Sequence, residues 1–205
     1  MKRILATNSL DESRVSSDPF EQFRKWLREA SRKSAPLPQT MTLATATKSG
    51  RPSARTILLR ELDDSGFVFY TNYSGRKGKE LAENPRAAIV FYWPRQSLQV
   101  RVEGRVVKVA SNESETYFRS RPRDSQLSAW ASHQSRVIRD RRFLEERVER
   151  FKSKYPVRVP RPPNWGGYRL RPSVFEFWKE RSGRLHDRLL YRRARGRWII
   201  ERLAP

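Results

Sequence analysis

The sequence predicts a mainly β fold with helices, an α+β protein built on an antiparallel β-barrel with helical insertions. Many short strand-like runs are separated by turn-forming Gly, Asn, Asp and Pro residues, and helical segments interrupt them. Six Trp, seven Tyr and ten Phe supply bulky core material, although only 37% of the 205 residues are hydrophobic. A chain of this length can bury a core as one domain.

The N-terminal region is expected to contain a flexible segment followed by a helix. Residues 1–17 are polar, which leaves residues 18–205 as the single domain. Asp18 supplies an N-cap and Pro19 fits the first helical position. The apolar residues that follow recur at helical spacing: Phe20, Phe23, Trp26 and Leu27. This pattern predicts a helix to about residue 32.

Turn signals divide residues 41–109 into five strands and one short helix. The predicted strands cover residues 41–47, 53–62, 67–73, 87–93 and 97–109. Ser74 is expected to cap the short helix, which covers residues 75–83.

The remaining chain reads as helices followed by strands. Helices are predicted at 112–118, 125–132 and 139–154, and strands at 168–172, 174–181 and 188–203. Asn112 and Glu115 have the spacing of a capping box at the start of the first of these helices. Four prolines make residues 155–164 an extended connection.

Composition limits the function. The net charge of +22 favours anionic ligands, but the 34 Arg and 10 Lys are spread over the whole chain, which argues against a dedicated nucleic-acid-binding stripe. The absence of Cys excludes disulfides and thiolate sites, and two His residues argue against a bound transition metal. No apolar stretch approaches the roughly 20 residues that span a bilayer. We therefore expect a cytoplasmic protein with no membrane partner.

The pentapeptide Arg184-Leu185-His186-Asp187-Arg188 is the most informative segment. If it is extended, alternation places Arg184, His186 and Arg188 on one face. That face would carry two fixed cations and one group that titrates near neutral pH, which suits an anionic, proton-exchanging ligand. The alternative is a solvated basic hairpin.

Three further segments could form a site, and the second and third suit a phosphate. Arg55 and Arg60 lie within the strand predicted at 53–62, on opposite faces by alternation, and the alternative is an edge strand with solvated ends. Residues 69–77 run from a strand into a helix start that carries Arg76 and Lys77. Residues 117–126 place a tyrosine, several arginines and a serine between helices, where the alternative is an ordinary capped turn. His133 is more typical of a surface or packing residue, and any chemistry should belong to a cofactor.

Taken in order, these segments resemble the pyridoxine/pyridoxamine 5′-phosphate oxidase family over residues 18–205. The resemblance rests on Phe-Tyr-Thr-Asn at 69–72, Ser-Arg-Pro-Arg-Asp-Ser-Gln at 120–126, Trp-Gly-Gly at 165–167, Arg-Leu-His-Asp-Arg at 184–188 and the final Arg-Leu-Ala-Pro. It implies a split-barrel homodimer with FMN at the subunit interface. It also implies oxidation of pyridoxamine or pyridoxine 5′-phosphate to pyridoxal 5′-phosphate, in vitamin B6 biosynthesis and salvage, with O₂ as acceptor and release of H₂O₂, and of ammonia from the amine.

The resemblance also assigns roles to residues. The implied FMN contacts are Arg55, Ile57, Leu58, Arg60, Tyr70, Thr71, Arg76, Lys77, Gln99, Gln134, Ser135, Trp178 and Arg188. The implied substrate contacts are Arg60, Tyr117, Arg121 and Ser125 at the phosphate, with Arg184 and His186 over the pyridine ring as the catalytic residues. Arginine forks and hydroxyls suit phosphate in these roles.

Two departures and two alternatives accompany the resemblance. Position 60 is Arg where the family is expected to have Lys, and residues 1–17 lack the basic, tyrosine-containing segment of some members. One alternative is a related flavin oxidase acting on another aromatic substrate, as in phenazine synthesis. The phosphate set of Tyr117, Arg121 and Ser125 argues against it. The other is a flavin- or nucleic-acid-binding module without turnover.

Overall fold

A computed structural model describes residues 9–32 and 37–205, and within them the chain forms five α-helices and nine strands. The helices are α1 (Pro19–Arg32), α2 (Arg76–Glu83), α3 (Ser111–Ser120), α4 (Arg123–Ala131) and α5 (Arg141–Lys154). The strands are β1 (Thr40–Ala46), β2 (Pro52–Leu58), β3 (Glu61–Asp63), β4 (Gly66–Asn72), β5 (Arg86–Trp93), β6 (Leu98–Lys108), β7 (Trp165–Lys179), β8 (Asp187–Ala194) and β9 (Arg197–Arg202). All pairings are antiparallel, which confirms the predicted fold class.

The order of the strands requires the sheet to curl into a barrel. The order is β2-β1-β5-β6-β7-β4-β3, so β2 and β3 lie at opposite ends. Only Leu59 and Arg60 connect these two strands along the chain. The amide of Leu59 donates to the carbonyl of Gln39 beside β1, and the amide of Arg60 donates to the carbonyl of Val68 in β4, both at 2.9 Å. Two residues therefore close the barrel.

Strand β7 belongs to two parts of the structure. Its first half pairs with β4 and its second half with β8. Between them the register against β6 shifts, because Gly104 lies opposite Pro172 and Glu103 opposite Val174, which leaves Ser173 as a bulge. The bulge also accommodates a proline within a central strand. The hairpin of β8 and β9 therefore extends the sheet beyond the barrel, and the barrel is split.

The interior is aromatic. Helix α1 places Phe23 against Phe67 and Phe91, with ring centroids 5.0 and 4.8 Å apart in edge-to-face geometry. A second, smaller cluster under α3 and α4 contains Phe118, Leu127, Val159 and Trp165. This second cluster supports the site described below.

The structure confirms α1 and corrects several other elements. The strand predicted at 53–62 is two strands, β2 and β3, because its halves pair with opposite edges of the sheet. The strands predicted at 168–172 and 174–181 form one strand, β7. The cap predicted at Asp18 is confirmed, because its Oδ1 accepts from the amide of Phe20 at 2.9 Å. The caps predicted at Ser74 and Asn112 are wrong, since α2 and α3 begin after Gly75 and Ala110 without a side-chain cap.

The end of the N-terminal segment is anchored, where the sequence indicated nothing to hold it. The amide of Leu10 donates to Asp187 at 3.1 Å, Arg202 pairs with Glu12 at 2.7 Å, and Tyr191 donates to the carbonyl of Ser16 at 2.8 Å. Residues 1–8 lie outside the described part of the chain, and the division into a flexible segment and one domain stays a prediction. No helix among the described residues is long and apolar enough to cross a bilayer.

Candidate functional site: two phosphate-sized clusters and an aromatic row

The first cluster centres on the buried ammonium of Lys77 in the first turn of α2. Its Nζ donates to Gln134 Oε1 at 2.9 Å and to Thr71 Oγ1 at 3.2 Å, and Thr71 donates to the same amide oxygen at 3.0 Å. Burial, and then the nearby charge of Arg55, lower the pKa of Lys77. A Cβ at Gly75 would lie 2.6 Å from Gln134 Oε1, so a larger residue there would displace the amide that accepts from Lys77. A strand end, a helix start and a distant loop thus meet at one buried cation.

Arg55 and Arg76 lie beside this cation and share one carboxylate. Arg76 Nε donates to Glu80 Oε1 at 2.9 Å, and Arg55 Nη2 lies 3.3 Å from Glu80 Oε2. The same Oε2 accepts from the hydroxyls of Thr45 and Ser53. Three cations and one carboxylate give the phosphate cluster, as we call Arg55, Arg76, Lys77 and Glu80, a net charge of +2. This complements a phosphate monoester, which carries about −1.5 to −2 at pH 7.

The second cluster is built on stacked rings. Tyr70 of β4 stacks on Tyr117 of α3 with centroids 3.9 Å apart, and Trp165 continues the stack at 5.6 Å from Tyr70. The guanidinium of Arg121 lies 4.7 Å from the ring of Trp165. Its Nη1 is buried and makes no hydrogen bond within the described residues. A buried cationic donor without an acceptor fits an incoming anion.

The turn between α3 and α4 fixes Arg121. Gln126 Nε2 donates to the carbonyls of Phe118, Arg119 and Arg121 at 3.1, 3.2 and 3.0 Å. Ser125 lies in the first turn of α4, half-buried, and Arg60 reaches over the ring of Tyr117 at 6.0 Å. The structure therefore gathers Arg60, Tyr117 and Arg121, with Ser125 on the next helix.

A third group forms a row across the sheet. Gln99 of β6 lies opposite Trp178 of β7, which lies opposite Arg188 of β8. Arg188 Nε donates to the buried carboxylate of Glu176 at 2.8 Å, and Arg101 Nη2 donates to its other oxygen at 2.7 Å. The ring of His186 lies 4.8 Å from that of Trp178. The aromatic row thus brings together four of the sequence-predicted residues.

The extended conformation considered for the pentapeptide is wrong. Residues Ser182–Arg184 form a short 3₁₀ turn, Arg184 has φ +61°, and β8 begins only at Asp187. His186 Nδ1 accepts from the amide of Arg181 at 3.2 Å. Alternation therefore does not place Arg184, His186 and Arg188 on one face, because Gly183 and Arg184 turn the chain before the strand starts.

Other predicted residues are placed less decisively. Ile57 packs on the main core and Leu58 is half-buried at the end of β2. Ser135 is exposed with φ +68° next to Gln134. Sequence reasoning missed Glu80, Glu176 and Trp165. The spacing of Arg76 and Glu80 was visible, but i,i+4 pairs are usually solvent-exposed, and burial could not be read from it.

These features define a class. The split barrel, the phosphate cluster at the start of a helix and the aromatic row are together typical of split-barrel, FMN-binding flavoproteins. The donor set fits FMN, since the cations and hydroxyls suit its phosphate and Trp178 offers a face to a flat ring.

Comparison with known proteins specifies the family. A family model described as pyridoxamine 5′-phosphate oxidase matches residues 27–155, and one described as the pyridoxine 5′-phosphate oxidase C-terminal dimerisation region matches residues 165–205. The chain is 50% identical to the pyridoxine/pyridoxamine 5′-phosphate oxidase of Acaryochloris marina, covering 100% of this chain and 94% of the relative. It is 52% identical to the one of Paraburkholderia phymatum, covering 100% and 97%. The chain therefore belongs to the pyridoxamine 5′-phosphate oxidase family.

Solved structures agree on the fold. PhzG from Burkholderia lata, in complex with tetrahydrophenazine-1-carboxylic acid, superposes with a TM-score of 0.91 at 34% identity over 98% of both chains. A pyridoxamine 5′-phosphate oxidase-related, FMN-binding protein of Nostoc punctiforme gives a TM-score of 0.73 at 20% identity, covering 93% of this chain and 100% of that one. The second likeness supports the fold alone.

Proposed function

We propose that this protein oxidises pyridoxamine 5′-phosphate and pyridoxine 5′-phosphate to pyridoxal 5′-phosphate with FMN as bound cofactor. The alcohol and O₂ give the aldehyde and H₂O₂; the amine, O₂ and water give the aldehyde, ammonia and H₂O₂. The observation that carries the proposal is the presence of two separate cationic clusters joined through neighbouring residues of β4. Thr71 accepts a hydrogen bond from Lys77 of the phosphate cluster, and Tyr70 stacks on Trp165, the ring over which Arg121 lies. One cluster suits the phosphate of the cofactor and the other that of the substrate.

The residues at the first cluster would hold FMN. Arg55, Arg76 and Lys77 would bind its phosphate, and Thr71 and Gln134 would fix the buried ammonium between them. Trp178 and Gln99 would lie against the ring system. When bound, FMN supplies the acceptor for the hydride that leaves substrate C4′ and passes the electrons to O₂.

The substrate residues orient and hold. Arg60, Tyr117, Arg121 and Ser125 would bind the phosphate, which fixes the pyridine ring at one end. Arg184 and His186 would cover the ring and stabilise the change in charge as the proton leaves the C4′ substituent. Catalysis by this chain is then mainly a matter of position and electrostatics.

We further propose that the active unit is a homodimer with FMN between subunits. One face of the sheet carries uncharged side chains on three neighbouring strands: Thr42 and Ala44 on β1, Ala54 and Thr56 on β2, and Ala88, Val90 and Tyr92 on β5. Such a face is unusual in a chain with a net charge of +22. Tyr92 is 56% exposed and lies opposite Gln99, so this face continues into the aromatic row. The match of residues 165–205 to a dimerisation region supports the same assembly.

The likeness to PhzG favours one alternative, a flavin oxidase for a tricyclic aromatic acid. Its identity of 34% is lower than the 50% and 52% of the oxidases. The buried, unpartnered donor of Arg121 argues for a phosphorylated substrate instead. A module that only binds FMN needs one phosphate site, so the second cationic cluster argues against this alternative.

One assay tests these readings together. The purified protein should be yellow with oxidised-flavin absorbance, and should release H₂O₂ with pyridoxamine and pyridoxine 5′-phosphates but far less with the unphosphorylated forms. Turnover of a reduced phenazine carboxylic acid at a higher rate would favour the alternative. A colourless protein that takes up no FMN would contradict the proposal.

A further inference from the structure

Next to the proposed cofactor site, the buried carboxylate of Glu80 accepts hydrogen bonds from four side chains. The residue is only 4% exposed. Its Oε2 accepts from Thr45 Oγ1 and from Ser53 Oγ, at 2.5 and 2.6 Å. These two hydroxyls come from β1 and β2, whereas Glu80 lies on α2. The carboxylate is therefore held by hydroxyls of two strands as well as by the arginines.

The two arginines approach this carboxylate from different directions. Arg76 reaches Oε1 from one helical turn earlier, and Arg55 reaches Oε2 from β2. Arg55 also donates to the hydroxyls of Thr45 and Ser53. Without a fixed anion, Arg55, Arg76 and Lys77 would repel one another and adopt many rotamers. The ionised carboxylate opposes that repulsion while leaving the cluster with net positive charge.

We propose that Glu80 is a positioning residue that holds Arg55 and Arg76 in the geometry that binds the FMN phosphate before FMN arrives. This inference rests on the proposed function, since it takes FMN as the ligand of the phosphate cluster. Glu80 would act through the two guanidinium groups, because its carboxylate is already bonded to four side chains of the protein. Preorganisation of this kind raises affinity because side-chain entropy is lost in folding and not again in binding.

A purely structural role predicts a different result. Glu80 also connects α2 to β1 and β2, so its loss could loosen the whole site. Loosening would weaken binding of the flavin ring and the phosphate alike. Positioning of the arginines would affect the phosphate alone.

Riboflavin, which has the ring and ribityl chain of FMN but no phosphate, separates the two roles. We would titrate FMN and riboflavin into the apoprotein of wild type and of Glu80→Gln, following flavin fluorescence. We expect Glu80→Gln to lower FMN affinity about 10- to 100-fold, the range for hydrogen bonds to charged groups, and to change riboflavin affinity less than about twofold. The matched control is Glu115→Gln, which removes another carboxylate that pairs with arginines, Arg119 and Arg161, away from the phosphate cluster. It should change neither affinity.

Each outcome decides the matter. Selective loss of FMN affinity supports the proposal; equal loss of both flavins, or loss of neither, overturns it. If Glu80→Gln does not fold, Thr45→Val serves in its place: it removes a hydroxyl that donates to Glu80 Oε2 and accepts from Arg55, and a smaller selective loss of about threefold is expected. Suppose that wild type oxidises the phosphorylated substrates and that Glu80→Gln prefers FMN over riboflavin as strongly as wild type does. This result would refute the inference and leave the proposed function intact. A wild-type protein that binds no FMN would refute both.

Discussion

The phosphate cluster and the segment 181–188 differ in how far each is completed by the chain itself. In the phosphate cluster, Lys77 is buried and its ammonium has two acceptors, and Glu80 accepts from four side chains. In segment 181–188, Arg184 is exposed in a positive-φ conformation and the neighbouring Leu185 is 72% exposed. The contacts of the first region are completed within one chain, whereas residues 183–185 of the second are exposed. The difference indicates that the fold of one chain fixes the phosphate cluster, whereas the residues proposed for the chemistry need further contacts that shield them from solvent.

The largest expected effect tests whether the two regions have separate roles. Arg184→Ala and His186→Ala should each lower kcat/KM for pyridoxine 5′-phosphate by about 100-fold or more, because groups that orient substrate and manage a proton contribute on that scale. FMN retention, measured from the flavin absorbance of the purified protein, should stay near wild type. Arg195→Ala, in the exposed turn between β8 and β9, is the control. Equal loss of flavin and turnover would place both residues against the cofactor and remove the distinction.

The pH dependence of the free energy of unfolding tests how strongly Glu80 is held in the phosphate cluster. Burial raises the pKa of Glu80, but the hydrogen bonds from Ser53 and Thr45, and then from Arg76 and Arg55, lower it to about 2 from an ordinary 4.5. A depressed carboxyl pKa contributes stability that is present above pH 4.5 and is lost as the pH falls to about 2. A shift of this size corresponds to about 3 kcal/mol. The difference in unfolding free energy between wild type and Glu80→Gln, from urea titrations, should shrink by about that amount between pH 5 and pH 2; a constant difference would contradict the assignment.

Substitution of Lys77 tests whether the buried ammonium lowers the stability of the apoprotein while it raises FMN affinity. Lys77→Met should lower FMN affinity about 10- to 100-fold, the range for hydrogen bonds to charged groups. The unfolding free energy of the apoprotein should stay equal or rise, because the variant no longer buries an ammonium. Lys79→Met, exposed on the same helix, is the matched control and should change neither quantity. A loss of apoprotein stability equal to the loss of affinity would mean that Lys77 serves the fold instead.

The smallest effect is expected at Arg60. Its side chain is exposed and its guanidinium lies over Tyr117. Arg60→Lys keeps a cation near the substrate phosphate but removes the planar fork, so KM for pyridoxine 5′-phosphate should change less than about threefold and FMN affinity should not change. A change of tenfold or more would show that this arginine sets substrate affinity.

Local features of the fold could be predicted from the sequence, and features that depend on distant pairing could not. Helix α1 follows from Asp18, Pro19 and the spacing of its aromatic residues. The break between β2 and β3 depends on pairing with opposite edges of the sheet, which leaves no mark near Leu59. Strand β7 continues through Pro172 because a bulge opposite Gly104 accommodates it.

The site shows the same division. The resemblance identified Thr71, Lys77 and Gln134 as FMN contacts. The hydrogen bonds that join them could not be predicted, because they link residues up to 63 positions apart in the chain. Burial of Glu80 could not be inferred from an arginine four residues before it. The turn at residues 182–184 overrode the alternation considered for the pentapeptide.

The two-residue link at Leu59 and Arg60 has a consequence for folding. Hairpins such as β8–β9 and β3–β4 join near neighbours in the chain and can form early, whereas bringing β4 onto β7 joins distant residues and needs the intervening sheet to curve. The seam made by this late step carries Tyr70 on β4, and Arg60 lies on the link beside it. A phosphorylated ligand bound at the seam stabilises the closed barrel by mass action, so the melting temperature becomes a measure of how much substrate the protein holds.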